Sequence, residues 1–218
     1  MKNSKKRYKK FDTHNTKILF EILDNHYKDA KCGLEFNSPY EIVIALILAA
    51  QCTDKRVNEI LPIFMEKFKT IENVANSSQA EIISIIKPCG YYNSKSKSIL
   101  ETSKILVNNY NMEVPNTMEE LLTLKGIGRK SANIILQECF NKTEGIAVDT
   151  HVTRISRKIG LSNGNTQEKI ENDLMKTFDK NMYSRINHIF VTHGRKICIA
   201  NRPKCDICPI KDFCMKND

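Results

Sequence analysis

No apolar run in this 218-residue chain exceeds the nine residues from Ile42 to Ala50, bounded by Glu41 and Gln51, whereas a bilayer-spanning helix needs about 20. The run reads as a buried core helix, and no membrane is expected. The basic start, with six Lys or Arg among residues 1–10, lacks the apolar stretch that follows in a secretory signal. The expected location is therefore the cytosol. Sustained period-2 alternation is also missing, as are long Gly/Ser/Pro linkers and any internal repeat of fixed period. The first absence excludes a sheet, since pieces such as Ile146-Ala147-Val148 are too isolated to form one. The second means that any domain division must arise from packing.

Hydrophobic residues make up 41% and charged residues 27%, ordinary for a globular protein, so wholesale disorder is excluded. Lys and Arg number 34 against 25 Asp and Glu, a net charge of +9. Residues 1–10 carry +6 of it, residues 193–218 carry +3, and the stretch between sums to zero. Such charge suits a polyanion such as nucleic acid, but a solvated tail explains the first ten residues as well. Eight cysteines in a reducing compartment do not suggest a disulfide framework. Cys52, Cys89 and Cys139 read as small buried hydrophobes. Cys198, Cys205, Cys208 and Cys214, spaced C-x6-C-x2-C-x5-C in the last 21 residues, are a ligand pattern.

Helix starts recur as Ser, Thr or Asn with Glu three residues on, the arrangement that satisfies free amides at a helix N-terminus. Examples are Ser38-Pro39-Tyr40-Glu41, Ser78-Gln79-Ala80-Glu81, Thr117-Met118-Glu119-Glu120 and Asn165-Thr166-Gln167-Glu168. Spacing within the segments is helical, as in Ala132, Ile135, Leu136 and Cys139. The pattern predicts an all-α protein with helices at 17–30, 39–50, 55–68, 79–87, 94–110, 118–123, 129–140, 150–159, 166–177 and 182–192.

In Leu121-Leu122-Thr123-Leu124-Lys125-Gly126-Ile127-Gly128-Arg129-Lys130, two helical patterns meet in a short glycine loop. Glycines allow positive φ and leave no side chain between backbone amides and a ligand. The next helix directs its N-terminal amides and positive dipole end the same way. Together these make a phosphate-sized anion site, unless the glycines merely turn the chain. The four cysteines suit Zn²⁺ or an iron–sulfur cluster. With only Cys205-x2-Cys208 as a CxxC knuckle, the spacing leans towards iron–sulfur.

The stretch Leu124 to Asn133 resembles the helix-hairpin-helix of the endonuclease III family of DNA glycosylases, and Ile146-Ala147-Val148-Asp149-Thr150-His151 follows as it does there. Ala50-Gln51-Cys52-Thr53-Asp54, the Gly90-Tyr91-Tyr92-Asn93-Ser94-Lys95 turn and the cysteine spacing are similar to further family motifs. The resemblance implies an all-α protein in two parts with a cleft between them: residues 32–143 carrying the hairpin, and residues 1–31 with 144–218 forming a [4Fe-4S] domain. It implies a monomer that excises oxidised pyrimidines from duplex DNA and cleaves at abasic sites.

Lys130 matches the family's catalytic lysine. It falls in the first turn of a predicted helix, where the dipole and neighbouring Arg129 and Lys125 favour a neutral, nucleophilic amine. A phosphate-binding lysine is the plainer reading of the residue alone. Asp149 matches the family's catalytic carboxylate, expected to stabilise a sugar cation, and it is also placed to cap the helix from Thr150. Gln51 and Tyr91 stand where the family fills the gap left by an everted nucleotide. Relatives often carry an aliphatic residue at Tyr91 and at Cys89, and many have proline at Lys125. Lys125, Gly126, Gly128, Arg129, Arg202 and Lys204 are the remaining expected DNA contacts. His151 is expected to be structural. Related readings are an adenine-mismatch, mismatch-thymine or pyrimidine-dimer glycosylase. Presence of Lys130, and a chain ending four residues after Cys214, speak against the adenine-mismatch type. A non-catalytic DNA-binding or redox module would more readily lack Lys130 or Asp149.

Overall fold

A computed structural model of the protein describes residues 12–215; the basic segment at 1–10 lies outside them. In chain order the helices are α1 (Thr13–His26), α2 (Pro39–Ala49), α3 (Asp54–Phe68), α4 (Ile71–Ala75), α5 (Gln79–Ile86), α6 (Tyr92–Asn109), α7 (Met118–Leu121), α8 (Arg129–Phe140), α9 (Thr150–Ile159), α10 (Gln167–Thr177) and α11 (Tyr183–Lys196). The described residues contain no strand, and no described helix is long and apolar enough to cross a membrane.

Helix starts follow side-chain caps. Ser38, Thr53, Ser78, Thr117 and Thr166 each accept a backbone N–H from the first turn of α2, α3, α5, α7 and α10, and Ser78 and Glu81 complete a reciprocal capping box. Three expectations are corrected. The start expected at Asn165, with Glu168 three residues on, is capped instead by Thr166, whose hydroxyl accepts the Lys169 amide at 3.2 Å. The helix expected over 17–30 runs four residues earlier, because Asp12 accepts the Asn15 amide at 2.7 Å. α4 was not expected; Thr70 caps a helix of five residues, too short to show periodicity.

Residues 32–142 pack as one unit, while residues up to Lys31 and from Thr143 onward pack as another. In the first, α2 runs through the centre with every residue from Ile42 to Leu48 buried. It packs against α3, α6 and α8. Leu121, Leu124, Ile127, Ala132 and Ile135 bury the hairpin's inner side, so the polar loop is held by the apolar positions that flank it.

In the second unit, α9 lies against α11, which also packs on α1. Leu19, Leu23, Val152, Ile155, Ile186, Ile189 and Phe190 fill its core, with Cys198, Cys208 and Phe213 at the margin. Arg185 on α11 holds the end of the α1 segment, donating to the Asp24 carboxylate at 2.8 Å and to the backbone carbonyls of Tyr27 and Ala30.

Candidate DNA-repair site

The hairpin loop gives its two glycines different tasks. Gly126 has φ +83°, and a Cβ there would stand 3.1 Å from Ser98 Cβ and 3.3 Å from Ile47 Cγ1. Here glycine serves both the turn and close packing against α2 and α6. Gly128 has φ −105° and caps α8 with no side-chain bond, and a Cβ there would meet nothing within 4 Å. The loop is pinned from behind by Thr102, whose hydroxyl donates to the Lys125 carbonyl at 2.9 Å. Lys125, Gly128 and Arg129 are exposed and Lys130 is half-buried in the first turn of α8. Burial pushes the nearby Cys32 thiol up to about 11, the Glu138 and Asp54 carboxylates adding to the rise while the Leu34 backbone hydrogen bond and the Lys130 charge oppose it.

Asp149 caps α9: its Oδ1 accepts the Val152 amide at 2.8 Å, and its side chain is half-buried. The loop before it is fixed by Asn187, which donates to the buried Ala147 carbonyl at 2.7 Å. His151 lies 3.0 Å from an Arg154 nitrogen, and Arg154 also donates to the Gly194 and Cys198 carbonyls.

Gln51 and Tyr91 share a conformation that sequence reading did not anticipate. Both are exposed and both have positive φ, 54° and 47°. Gln51 lies between α2 and α3; Tyr91 precedes α6, its side chain 69% exposed. Sequence reading also missed Lys95, 3% exposed on the inner side of α6. Its ammonium donates to the Leu48 carbonyl at 2.7 Å and the Cys89 carbonyl at 2.8 Å, joining the segments that lead to Gln51 and Tyr91. A signal was available: Lys95, Ile99, Thr102 and Leu106 form one buried stripe at helical spacing. Burial lowers the Lys95 pKa, with the Cys52 and Cys89 thiols opposing the shift. Cys89 is buried as expected, but Cys52 and Cys139 are only partly so.

Cys198, Cys205, Cys208 and Cys214 line one small cavity of about 120 Å³ with Ile197, Pro203 and Lys204. Burial raises the Cys208 pKa, and the other three thiols raise it further, with a backbone hydrogen bond to Ile210 opposing. Among the described residues no three His, Cys, Asp or Glu side chains converge closely enough to hold one metal ion. Arg202 and Lys204 are exposed beside the cavity. Behind it, burial lowers the His193 pKa to about 4, helped by the charges of His26 and Arg154. Burial raises that of Tyr27 to about 12, helped by the Cys208 and Cys198 thiols.

A glycine hairpin whose second helix begins with Arg129 and Lys130, followed by a helix capped by an acid, is the framework of a base-excision DNA repair protein. Residues 44–180 match the HhH-GPD superfamily of base excision DNA repair proteins. Within that superfamily the chain belongs to the endonuclease III family. It is 38% identical over 196 residues to endonuclease III of Rickettsia felis, spanning 90% of this chain and 92% of that one. It is 35% identical over 198 residues to endonuclease III of Bacillus subtilis, spanning 90% of each. Its fold is similar to a trapped endonuclease III–DNA covalent intermediate, an estranged-adenine complex, with a TM-score of 0.89 and 32% identity over 94% of this chain and 98% of that one.

Proposed function

We propose that this protein is a bifunctional DNA glycosylase and abasic-site lyase that removes oxidised pyrimidines from duplex DNA. The observation that carries this reading is Lys130, half-buried in the first turn of α8, directly after a hairpin whose Gly128 is open to a ligand. Covalent capture of DNA by a relative of the same fold supports it.

Amides at the start of α8, the loop backbone and the Lys125 and Arg129 side chains hold backbone phosphates. The damaged nucleotide must leave the stack, at a cost of a few kcal/mol. Tyr91 enters the vacated space and the Gln51 amide hydrogen-bonds the orphaned base. The Lys130 amine then attacks C1′, breaking the bond to the base, which departs with a proton. The C1′–N bond becomes an imine as the sugar ring opens. Loss of a C2′ proton breaks the C3′–O bond, and water finally hydrolyses the imine to free Lys130. Asp149, held by the α9 amides, matches the family's catalytic carboxylate, and stabilising a sugar cation is a task that needs a fixed carboxylate more than a strong base.

The cysteine cavity fits a [4Fe-4S] cluster held by Cys198, Cys205, Cys208 and Cys214. One zinc draws four sulfurs to about 2.3 Å from a single centre, whereas a cluster takes one thiolate at each of four irons and suits thiols set around a cavity. When bound, the cluster supplies a rigid cross-link for the terminal loop. The loop's Arg202 and Lys204 then meet phosphates.

The test is borohydride trapping on a duplex with one thymine glycol. A covalent adduct is expected with the wild type and none with Lys130→Gln, which should still bind DNA. Equal trapping by Lys130→Gln would refute the mechanism. An adduct on an abasic site but not on thymine glycol would refute only the base preference.

A further inference from the structure

Behind the cysteine cavity two buried side chains, Tyr27 and His193, lead to the partly buried Cys208. Tyr27 Oη lies 2.9 Å from His193 Nδ1, and His193 Nε2 lies 3.7 Å from Cys208 Sγ. The Tyr27 and His193 rings meet edge-on, with centroids 5.8 Å apart. Tyr27 is 5% and His193 1% exposed, so water does not complete either contact.

A neutral imidazole has a single N–H, and heavy-atom positions leave open which nitrogen carries it. In one tautomer Nδ1–H donates to the tyrosine oxygen and Nε2 accepts from a cysteine S–H. In the other, Tyr27 donates to Nδ1 and Nε2–H donates to sulfur. The chemistry of ligation decides between them. A cysteine bound to iron is a thiolate with no hydrogen, so the first tautomer would face one lone pair with another across 3.7 Å. The second gives every contact a donor and an acceptor.

We propose that His193 tunes the iron–sulfur cluster by donating its Nε2–H to the Cys208 sulfur, with the Tyr27 hydroxyl donating to Nδ1 and so supporting the tautomer that ligation selects. The inference rests on the reading of Cys208 as a cluster ligand. A hydrogen bond to a ligating sulfur draws off negative charge, which favours the reduced cluster and raises its potential. Burial strengthens the bond, since no water competes for the donor. Arg154 acts beside it, donating to the Cys198 carbonyl from Nε at 3.2 Å and Nη2 at 2.9 Å.

The experiment uses the full chain purified without oxygen, with iron and sulfide measured per chain and the cluster potential read by voltammetry. His193→Leu should lower the potential. His193→Gln, whose amide carries an N–H near the Nε2 position, should restore most of it. Tyr27→Phe keeps the ring but leaves Nδ1 without its donor, which weakens support for the donating tautomer and should produce a smaller fall. A wild type that binds neither iron nor sulfide would remove the cluster reading, and this inference with it. A loaded wild type and a loaded His193→Leu of equal potential would overturn the donation and leave the cluster in place. If His193→Leu does not load, Tyr27→Phe decides: an unchanged potential would overturn the proposal.

Discussion

Replacing Gly126 and Gly128 separately by alanine should split stability from DNA binding. At Gly126 the new Cβ would lie 3.1 Å from Ser98 Cβ, 3.2 Å from Ser98 Oγ and 3.3 Å from Ile47 Cγ1, on a backbone with φ +83°. A left-handed alanine costs about 1–2 kcal/mol, and crowding a packed contact costs about 1–3 kcal/mol. The sum, about 2–5 kcal/mol, is a large part of a typical stability of about 5–15 kcal/mol. At about 2–4 °C per kcal/mol for a chain of this size, Tm should fall by roughly 5–20 °C. Gly128 has ordinary φ and open space around it, so Gly128→Ala should change stability by less than about 1 kcal/mol. Its methyl would instead stand between the α8 amides and a phosphate. Losing one charge-assisted hydrogen bond, about 1.5–3 kcal/mol, corresponds to about 10- to 150-fold weaker binding. Thermal melts and anisotropy titrations with an abasic-site duplex read both effects. Wild-type affinity in Gly128→Ala would refute the anion site and leave the hairpin as a turn. An unchanged Tm in Gly126→Ala would refute the packing argument.

Asp149 can be dissected because asparagine also caps helices. Asp149→Asn should keep Tm and slow single-turnover strand cleavage, whereas Asp149→Ala should also lose about 1 kcal/mol of stability in urea. Asp173 gives a pH signature. Burial pushes its pKa up, but hydrogen bonds from Lys169 and Ser162 and the charges of Lys169 and Lys176 outweigh it and bring the carboxyl below the ordinary aspartate range. Its stabilisation is therefore complete above the unfolded value and lost as pH falls through the folded one. The gap in urea midpoint between wild type and Asp173→Asn should close as pH is taken from about 5 to below the folded value.

Features carried by neighbours in the chain were legible in the sequence. The caps at Ser38, Ser78 and Thr117, the hairpin from Leu121 to Asn133 and the cysteine spacing are local patterns, and local chemistry sets them. The start of α1 was misplaced because its cap is an aspartate, Asp12, without the Glu that marks the starts at Ser38, Ser78 and Thr117. Contacts between distant residues left no such trace. Tyr27 and His193 are 166 positions apart, and only the packing of α1 on α11 joins them. Lys95 was half legible: its place on an apolar stripe marks it as buried, but its carbonyl partners depend on where α2 ends.

Gln51 and Tyr91 show how strain separates folding from function. A non-glycine residue held in the left-handed region costs on the order of 1 kcal/mol, and a loop chosen only for stability would place glycine there. Tyr91 has φ 47° and ψ 29°, and its ring is too exposed to recover that cost by burial. Lys95 holds the Cys89 carbonyl two residues before it, so the surrounding structure imposes the conformation. A side chain kept at a loss to the fold is kept for contact with something else. Tyr91→Gly should therefore leave Tm unchanged or slightly higher, because glycine adopts this backbone freely. The same change should weaken binding to an abasic-site duplex. Stacking of an aromatic ring on a base contributes about 1–3 kcal/mol, which corresponds to roughly 5- to 150-fold in Kd. A lower Tm with unaltered affinity would make Tyr91 a packing residue and remove it from the DNA-binding surface.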